Sequence, residues 1–340
     1  MTRKILIGII LLINILNAKA QSDLEKDIAQ VSLFYPIGTQ GNHSGNHAYN
    51  FSLNLIAGVT GSVSGFELGG LGNINRVDIK GVQLGGLFNA TSAGFYGLRT
   101  AGIFNIAGKK ASGLQIGGLL NLNKSNFTGL QIAGIINLNK GETKGVQIAG
   151  LLNVNKKLSG FQVGLINMSD TADHAISIGL INIVKNGGYS EFEFSLADYQ
   201  NLGLSFKHGL KSFYNIYNIG FNFLEDNLWS AGVGFGHLQK ISNRLNFQPE
   251  ALATTYFPED FKHYKRTLTY RLKLGLVYSL SDKIGLSVAP SVYYADFQND
   301  NNGLAPYKIS SIKPFKSHTG SENQWHLGTG ISVGLHLRNK

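Results

Sequence analysis

The chain has 340 residues, 15% of them charged and 43 of them glycine, with a formal net charge of +10 and no cysteine. Sparse charge with abundant Gly, Tyr and Phe fits closely packed β-structure better than a helical enzyme, and the missing thiols exclude disulfides, thiolate metal sites and a lipid-anchored N-terminal cysteine. The basic balance matches anionic lipid; with no block of Lys and Arg interleaved with aromatics, nucleic acid is not an expected partner.

Residues 1–20 read as a signal peptide. Thr2-Arg3-Lys4 is a short positive start, Ile5 to Leu16 is an apolar run broken only by Asn14, and Ala18-Lys19-Ala20 is a small-x-small cleavage site. The run is short for a permanent membrane helix. Export is therefore expected, with a mature chain starting near Gln21 and an N-terminal segment over 21–48.

Residues 49–186 repeat. A leading glycine recurs at intervals of 16 residues, at Gly65, Gly81, Gly97, Gly113, Gly129 and Gly145, followed by looser copies at Gly160 and Ala175. Within a copy the period is two, the mark of a strand. Leu130, Ile132, Gly134, Ile136 and Leu138 share one face; Gln131, Ala133, Ile135, Asn137 and Asn139 share the other. The polar face recurs as Gln83, Gln115, Gln131 and Gln147 and as Asn89, Asn121, Asn137 and Asn153, with Glu67 and Arg99 its two charges.

Two all-β architectures use such a unit. The first is an outer-membrane antiparallel β-barrel of roughly 16–18 strands, with apolar side chains toward lipid and the Gln and Asn face toward the lumen. The second is a β-solenoid followed by an eight-stranded barrel, with the Asn and Gln stacked as hydrogen-bonded ladders and the apolar face inside. Two details count against a simple barrel wall. The copy from Gly160 to Asn167 lacks a residue at its centre, which flips the facing of a strand unless the chain bends there. Leu87, Ile103, Leu119, Ile135 and Leu151 also fall on the otherwise polar face.

Residues 187–340 lose the repeat and keep the alternation. Leu268, Tyr270, Leu272, Leu274, Leu276 and Tyr278 oppose Arg271 and Lys273, whose charges belong in a lumen. Ser281-Asp282-Lys283 turns this strand into a second from Ile284 to Tyr294. Phe213 to Phe223 and Trp229 to Phe235 form another pair, and Trp325 to Leu337 reads as a closing strand. About eight strands are expected here.

The tandem phrase GLQIGGLLNLN, GLQIAGIINLN, GVQIAGLLNVN, preceded by NFSLNLIAGVTGSVSGFELGG, resembles surface-repeat proteins of Gram-negative bacteria over about residues 49–186. The second half is similar to outer-membrane β-barrels in its alternation, although the ending GLHLRNK lacks their terminal aromatic. The resemblance implies a surface or outer-membrane setting and supplies no catalytic residues.

Little else carries chemistry. His43 and His47 are four apart in a Gly-rich, non-helical stretch, and His174, His208, His237 and His263 lie near strand ends. No Gly-x-Ser-x-Gly elbow occurs, and ELGGLGNINR leads into a strand, not a phosphate-binding helix. No enzyme activity, cofactor or metal is expected. The irregular stretch 298–323 is the expected external loop for partner recognition. The expected function is that of a non-enzymatic outer-membrane β-barrel protein, structural or with limited pore activity. The alternative is a surface-exposed solenoid binding or adhesion module tethered by a small barrel. Outer-membrane lipid, the barrel-assembly machinery and an unknown surface ligand are the expected partners.

Overall fold

The computed structural model describes residues 24–223, 227–258, 267–298, 309–319 and 323–339. The signal-peptide residues, His263 and much of the predicted 298–323 loop lie outside them. The chain is all-β and divides into two compact units, Met1–Gly179 and Leu180–Lys340.

The first unit is a parallel β-solenoid, each repeat being one coil. In one coil, Ala111–Gly117 forms a strand, the chain turns at Gly118-Leu119, and Leu120–Asn123 runs back. The next coil stacks in register, with Gly113 opposite Gly129, Gln115 opposite Gln131 and Asn121 opposite Asn137. Of the two architectures read from the sequence, the structure therefore has the solenoid followed by an eight-stranded barrel. A single wall of 16–18 strands does not form, because the copies pair parallel at one coil's separation instead of antiparallel. The leading glycines make the stacking possible. Gly129 has φ of 129°, and a Cβ there would sit 2.1 Å from the Gly113 carbonyl oxygen.

The irregular copies keep their faces because each lost residue falls at a turn. Pairing moves from Asn139 with Asn155 to Glu142 with Lys157 across one turn. It moves again across the other, from Ile148 with Val163 to Leu152 with Ile166. The strand Glu25–Phe34 pairs parallel with His47–Thr60 and so adds to the stack. His47 Nδ1 lies 2.8 Å from Asp27 Oδ2 in this pair of strands, whereas His43 sits in a short 3-10 turn, Gly41–Asn46.

One expectation is reversed. The solenoid reading put the apolar face inside, yet Gln115, Gln131, Asn121 and Asn137 are fully buried. Ile116, Leu119, Ile135 and Ile148 are exposed. The reason is geometric: stacked coils hold equivalent side chains about 4.8 Å apart, a spacing at which carboxamides bond to one another along the stack. Leu87, Ile103, Leu119, Ile135 and Leu151 break the alternation because they sit at the corner after Gly, where the chain turns and points them outward.

The second unit opens with Ile181–Asn186 and closes into a barrel of eight antiparallel strands. These are β1 Tyr189–Ala197, β2 Gln200–Leu210, β3 Phe213–Asn222 and β4 Leu228–Gly236. β5 Leu245–Pro258, β6 Thr267–Ser279, β7 Ile284–Gln298 and β8 Asn323–Arg338 complete it. Each pairs with its sequence neighbour, and β1 pairs with β8 from Glu191 opposite Arg338 to Ala197 opposite Ser332. Closure removes every free edge. Eight strands leave an interior just wide enough for side chains. β8 makes that room: a Cβ on Gly334 would meet Ser287 Oγ at 2.8 Å, and one on Gly330 would meet Asp198 Oδ1 at 2.7 Å.

Candidate functional site

Both units bury polar side chains behind outward-facing apolar ones, the solenoid along its Asn and Gln columns. In the solenoid, one column of asparagines donates from each coil to the next: Asn89 Nδ2 to Asn105 Oδ1 at 3.0 Å, Asn121 to Asn137 at 2.9 Å, Asn137 to Asn153 at 3.0 Å. The second N–H of each also has a partner. Asn121 donates to the Ile132 carbonyl at 2.7 Å and Asn137 to the Ile148 carbonyl at 2.8 Å. The glutamine column donates the opposite way, Gln131 Nε2 to Gln115 Oε1 at 2.9 Å and Gln147 to Gln131 at 3.0 Å. Asn139 Nδ2 joins it to a third column through Gln131 Oε1 at 2.7 Å. So the predicted polar residues do converge, as the solenoid's interior and not as a barrel lumen.

The two charges of the repeat interrupt the glutamine column. Glu67 Oε2 accepts from Gln83 Nε2 at 2.6 Å and Asn75 Nδ2 at 2.8 Å. Burial raises its pKa, and these hydrogen bonds oppose the rise. Arg99 lies two coils on, fully buried, its guanidinium 4.2 Å from the Phe95 ring centroid. Burial lowers its pKa to about 9, with the Glu67 charge acting the other way. Beyond the ladders, near the Lys-bearing turns, the interior is instead apolar: Tyr49, Val63, Ile79, Phe95 and Phe127 form one cluster.

The barrel lumen holds a network of ion pairs. Lys207 Nζ lies 3.3 Å from Glu191 Oε1, 2.6 Å from Glu193 Oε2 and 2.5 Å from Glu250 Oε1. Lys273 Nζ meets Glu193 at 3.2 Å and Glu250 at 3.1 Å. Arg338 Nε bonds Glu191 Oε2 at 2.7 Å, and His336 bridges Glu191 Oε1 and Ser287 Oγ, each at 2.7 Å. Three carboxylates thus face Lys207, Lys273 and Arg338. Arg271 stands further along the lumen, stacked 3.5 Å from the Tyr199 ring centroid and 4.7 Å from that of Tyr293, and donates to Ser291 Oγ at 3.0 Å.

Arg271 and Lys273, expected from the sequence to face a lumen, lie buried opposite the apolar stripe of β6. Sequence reasoning did not single out Glu191, Glu193, Lys207, Glu250, His336 and Arg338, of which Glu193 and Glu250 pair with Lys273. The signal was present in Glu191-Phe192-Glu193-Phe194, where charge alternates with aromatic at strand period. Of the histidines, His174 is exposed, His208 Nδ1 meets the Asn182 carbonyl at 3.1 Å and His237 Nδ1 the Ser212 carbonyl at 2.9 Å.

The fold and site define an all-β protein of two units, a solenoid and a closed eight-stranded barrel. No family model matches the chain, and no curated protein sequence does. Among solved structures, one described as "De novo design of transmembrane beta-barrels" is similar at 13% identity and a TM-score of 0.27. The similarity covers 45% of this chain and 96% of that one.

Proposed function

We propose that this is a non-enzymatic outer-membrane β protein whose eight-stranded barrel is a membrane anchor with a structural role. One observation carries the reading. In the eight barrel strands every Lys, Arg and Glu among the described side chains turns inward. The outward positions are occupied by residues such as Phe192, Leu202, Ile219, Val233, Tyr270, Leu274 and Leu335, all substantially exposed. A Lys or Arg turned toward mid-bilayer lipid costs about 2–4 kcal/mol and an acidic side chain less, so this arrangement is favourable in a membrane. In water it would leave a large apolar wall uncovered. Asp296, which does face outward, lies near the end of β7.

The lumen supports an anchor more than a pore. Lys207, Glu191, Glu193 and Glu250 are at most 3% exposed and hold one another by ion pairs. A water-filled channel would solvate them. Assembly in the outer membrane then calls on lipid and the barrel-assembly machinery as partners. Purified protein reconstituted in planar bilayers is expected to show no channel steps, and to float with vesicles. Regular unitary conductance would replace the anchor reading with a pore, and a chain found in soluble fractions would remove the membrane reading altogether.

A further inference from the structure

We infer that the solenoid itself dips into lipid: the edge built by the Gly–Ile and Gly–Leu corners lies within one leaflet of a bilayer, while the opposite, lysine-bearing edge stays in water. The inference rests on the membrane setting proposed above and extends it to the unit that is not a barrel.

The first observation is a reversal of polarity inside a single coil. At one edge the coil is built as proteins are in water. Phe95 and Phe127 are fully buried beneath a surface that carries Lys124, Lys140 and Lys144. At the other edge the order inverts. The interior there is the Asn and Gln ladder, and the exterior is Leu130, Ile132, Ile135, Ile136 and Leu138. The corner residues Leu87, Ile103, Leu119, Ile135, Leu151 and Leu165 are 37–46% exposed, one above another along the stack. A polar, hydrogen-bonded interior with an apolar exterior is what hydrocarbon demands of a protein, because no water is available to satisfy backbone or carboxamide groups.

The second observation is length. Leu130 and Ile135 are five steps apart along the chain, at most about 17 Å at ~3.3 Å per residue. Ile135 to Lys140 is the same distance back. Half the hydrocarbon core of a bilayer is about 15 Å. The apolar edge therefore fits one leaflet and is too short to cross both. The lysines fall where the head groups begin, and Lys109, Lys124, Lys140, Lys144 and Lys156 give that boundary the sign that attracts anionic lipid.

The third observation concerns shape and favours a fluid over a protein cover. Apolar side chains occupy both flanks of the edge, Leu130 and Ile132 on one and Ile136 and Leu138 on the other, as well as the corner between them. A second copy laid against one flank leaves the other flank and the corner bare. A fluid surrounds all three at once. The backbone of the edge is already satisfied, since coils bond to their neighbours even at the corner, as Ile135 N does to the Leu119 carbonyl at 3.1 Å.

The chain has no cysteine, so the test uses single-cysteine variants of the full chain carrying a nitroxide, reconstituted in vesicles containing anionic phospholipid. Ile135→Cys reports the corner, Lys140→Cys the opposite edge and Leu274→Cys the outer wall of β6. Collisions with oxygen, which enters lipid, are compared with those of a water-soluble nickel chelate. The expected result is several-fold higher oxygen-to-nickel preference at 135 and 274 than at 140. Nickel access at 135 with lipid access at 274 overturns the inference and leaves the barrel anchor intact. Nickel access at both sites removes the membrane setting itself. Exclusion of both reagents from 135, with spin–spin broadening between copies, assigns the edge to a dimer and also overturns the inference.

Discussion

Arg99 shows what a single residue does to a ladder. It occupies the place that Gln83 and Gln115 hold in the neighbouring coils. Its Nη1 reaches the Ile106 carbonyl at 3.1 Å, but its Nε and Nη2 have no partner, and neither does Gln83 Oε1 beside it. An unsatisfied buried donor or acceptor costs about 1–3 kcal/mol. Arg99→Gln lets the column run through, with the new carboxamide donating to Gln83 Oε1. The variant is expected to gain about 1–3 kcal/mol, read as a higher urea midpoint of the full chain in detergent. The gain depends on pH with a definite sign. Burial lowers the Arg99 pKa to about 9, so above that value this group holds fewer protons in the native state than in the unfolded chain, and its own contribution to wild-type stability grows with pH. The advantage of Arg99→Gln is therefore full below pH 9 and shrinks above it. A gap between the two proteins that stays constant from pH 8 to pH 10.5 contradicts this reading of the guanidinium.

At the scale of the element, the coil depends on close stacking. Gly129 pairs with Gly113 and Gly145 in a left-handed backbone conformation that side chains disfavour. Gly129→Ala adds roughly 1–3 kcal/mol of backbone strain to the steric overlap with the coil below. Protease cleavage near residues 111–149 is expected to accelerate while the barrel remains intact by heat-modifiable gel migration. The same element explains what was legible in the sequence and what was not. The 16-residue period, the strand character and the uncharged flanks could all be read from the glycine and asparagine spacing. Which face lies inside could not, because alternation is unchanged when a strand is turned over. Parallel stacking was equally hidden: Leu130 and Gln131 alternate alike in a hairpin wall and in a coil. The misfit of Ile135 and its equivalents, placed on the polar face by strict alternation, marked the corner. In the barrel, Arg271 and Lys273 declared their facing because charges are costly in lipid, whereas Glu193 on β1, 80 residues from Lys273, meets it only across the closed lumen; Glu250 lies directly opposite Lys273 on the neighbouring β5.

At the scale of the whole molecule, the barrel and the corner edge of the solenoid share one construction, polar within and apolar without, while the solenoid's lysine-bearing edge is built the other way round. In the barrel the interior is held by balance of charge, and Lys207 is its centre, with Glu191, Glu193 and Glu250 all within 3.3 Å. Lys207→Met fills similar space without the cation and leaves three buried carboxylates to Lys273, Arg338 and His336. Breaking a buried ion pair from one side costs about 3–5 kcal/mol. The variant is expected to unfold at lower urea than the wild type by that amount, with its heat-modifiable gel shift lost at lower temperature. An unchanged midpoint would show that the network does not stabilise the barrel.

The most direct test is flotation of the purified mature chain. Refolded with phospholipid vesicles and washed in alkaline carbonate, it is expected to rise with the vesicles through a density gradient, and to aggregate when lipid and detergent are both withdrawn. A chain that stays at the bottom of the gradient, soluble and monomeric in plain buffer, contradicts the claim that its exposed apolar surfaces are made for lipid.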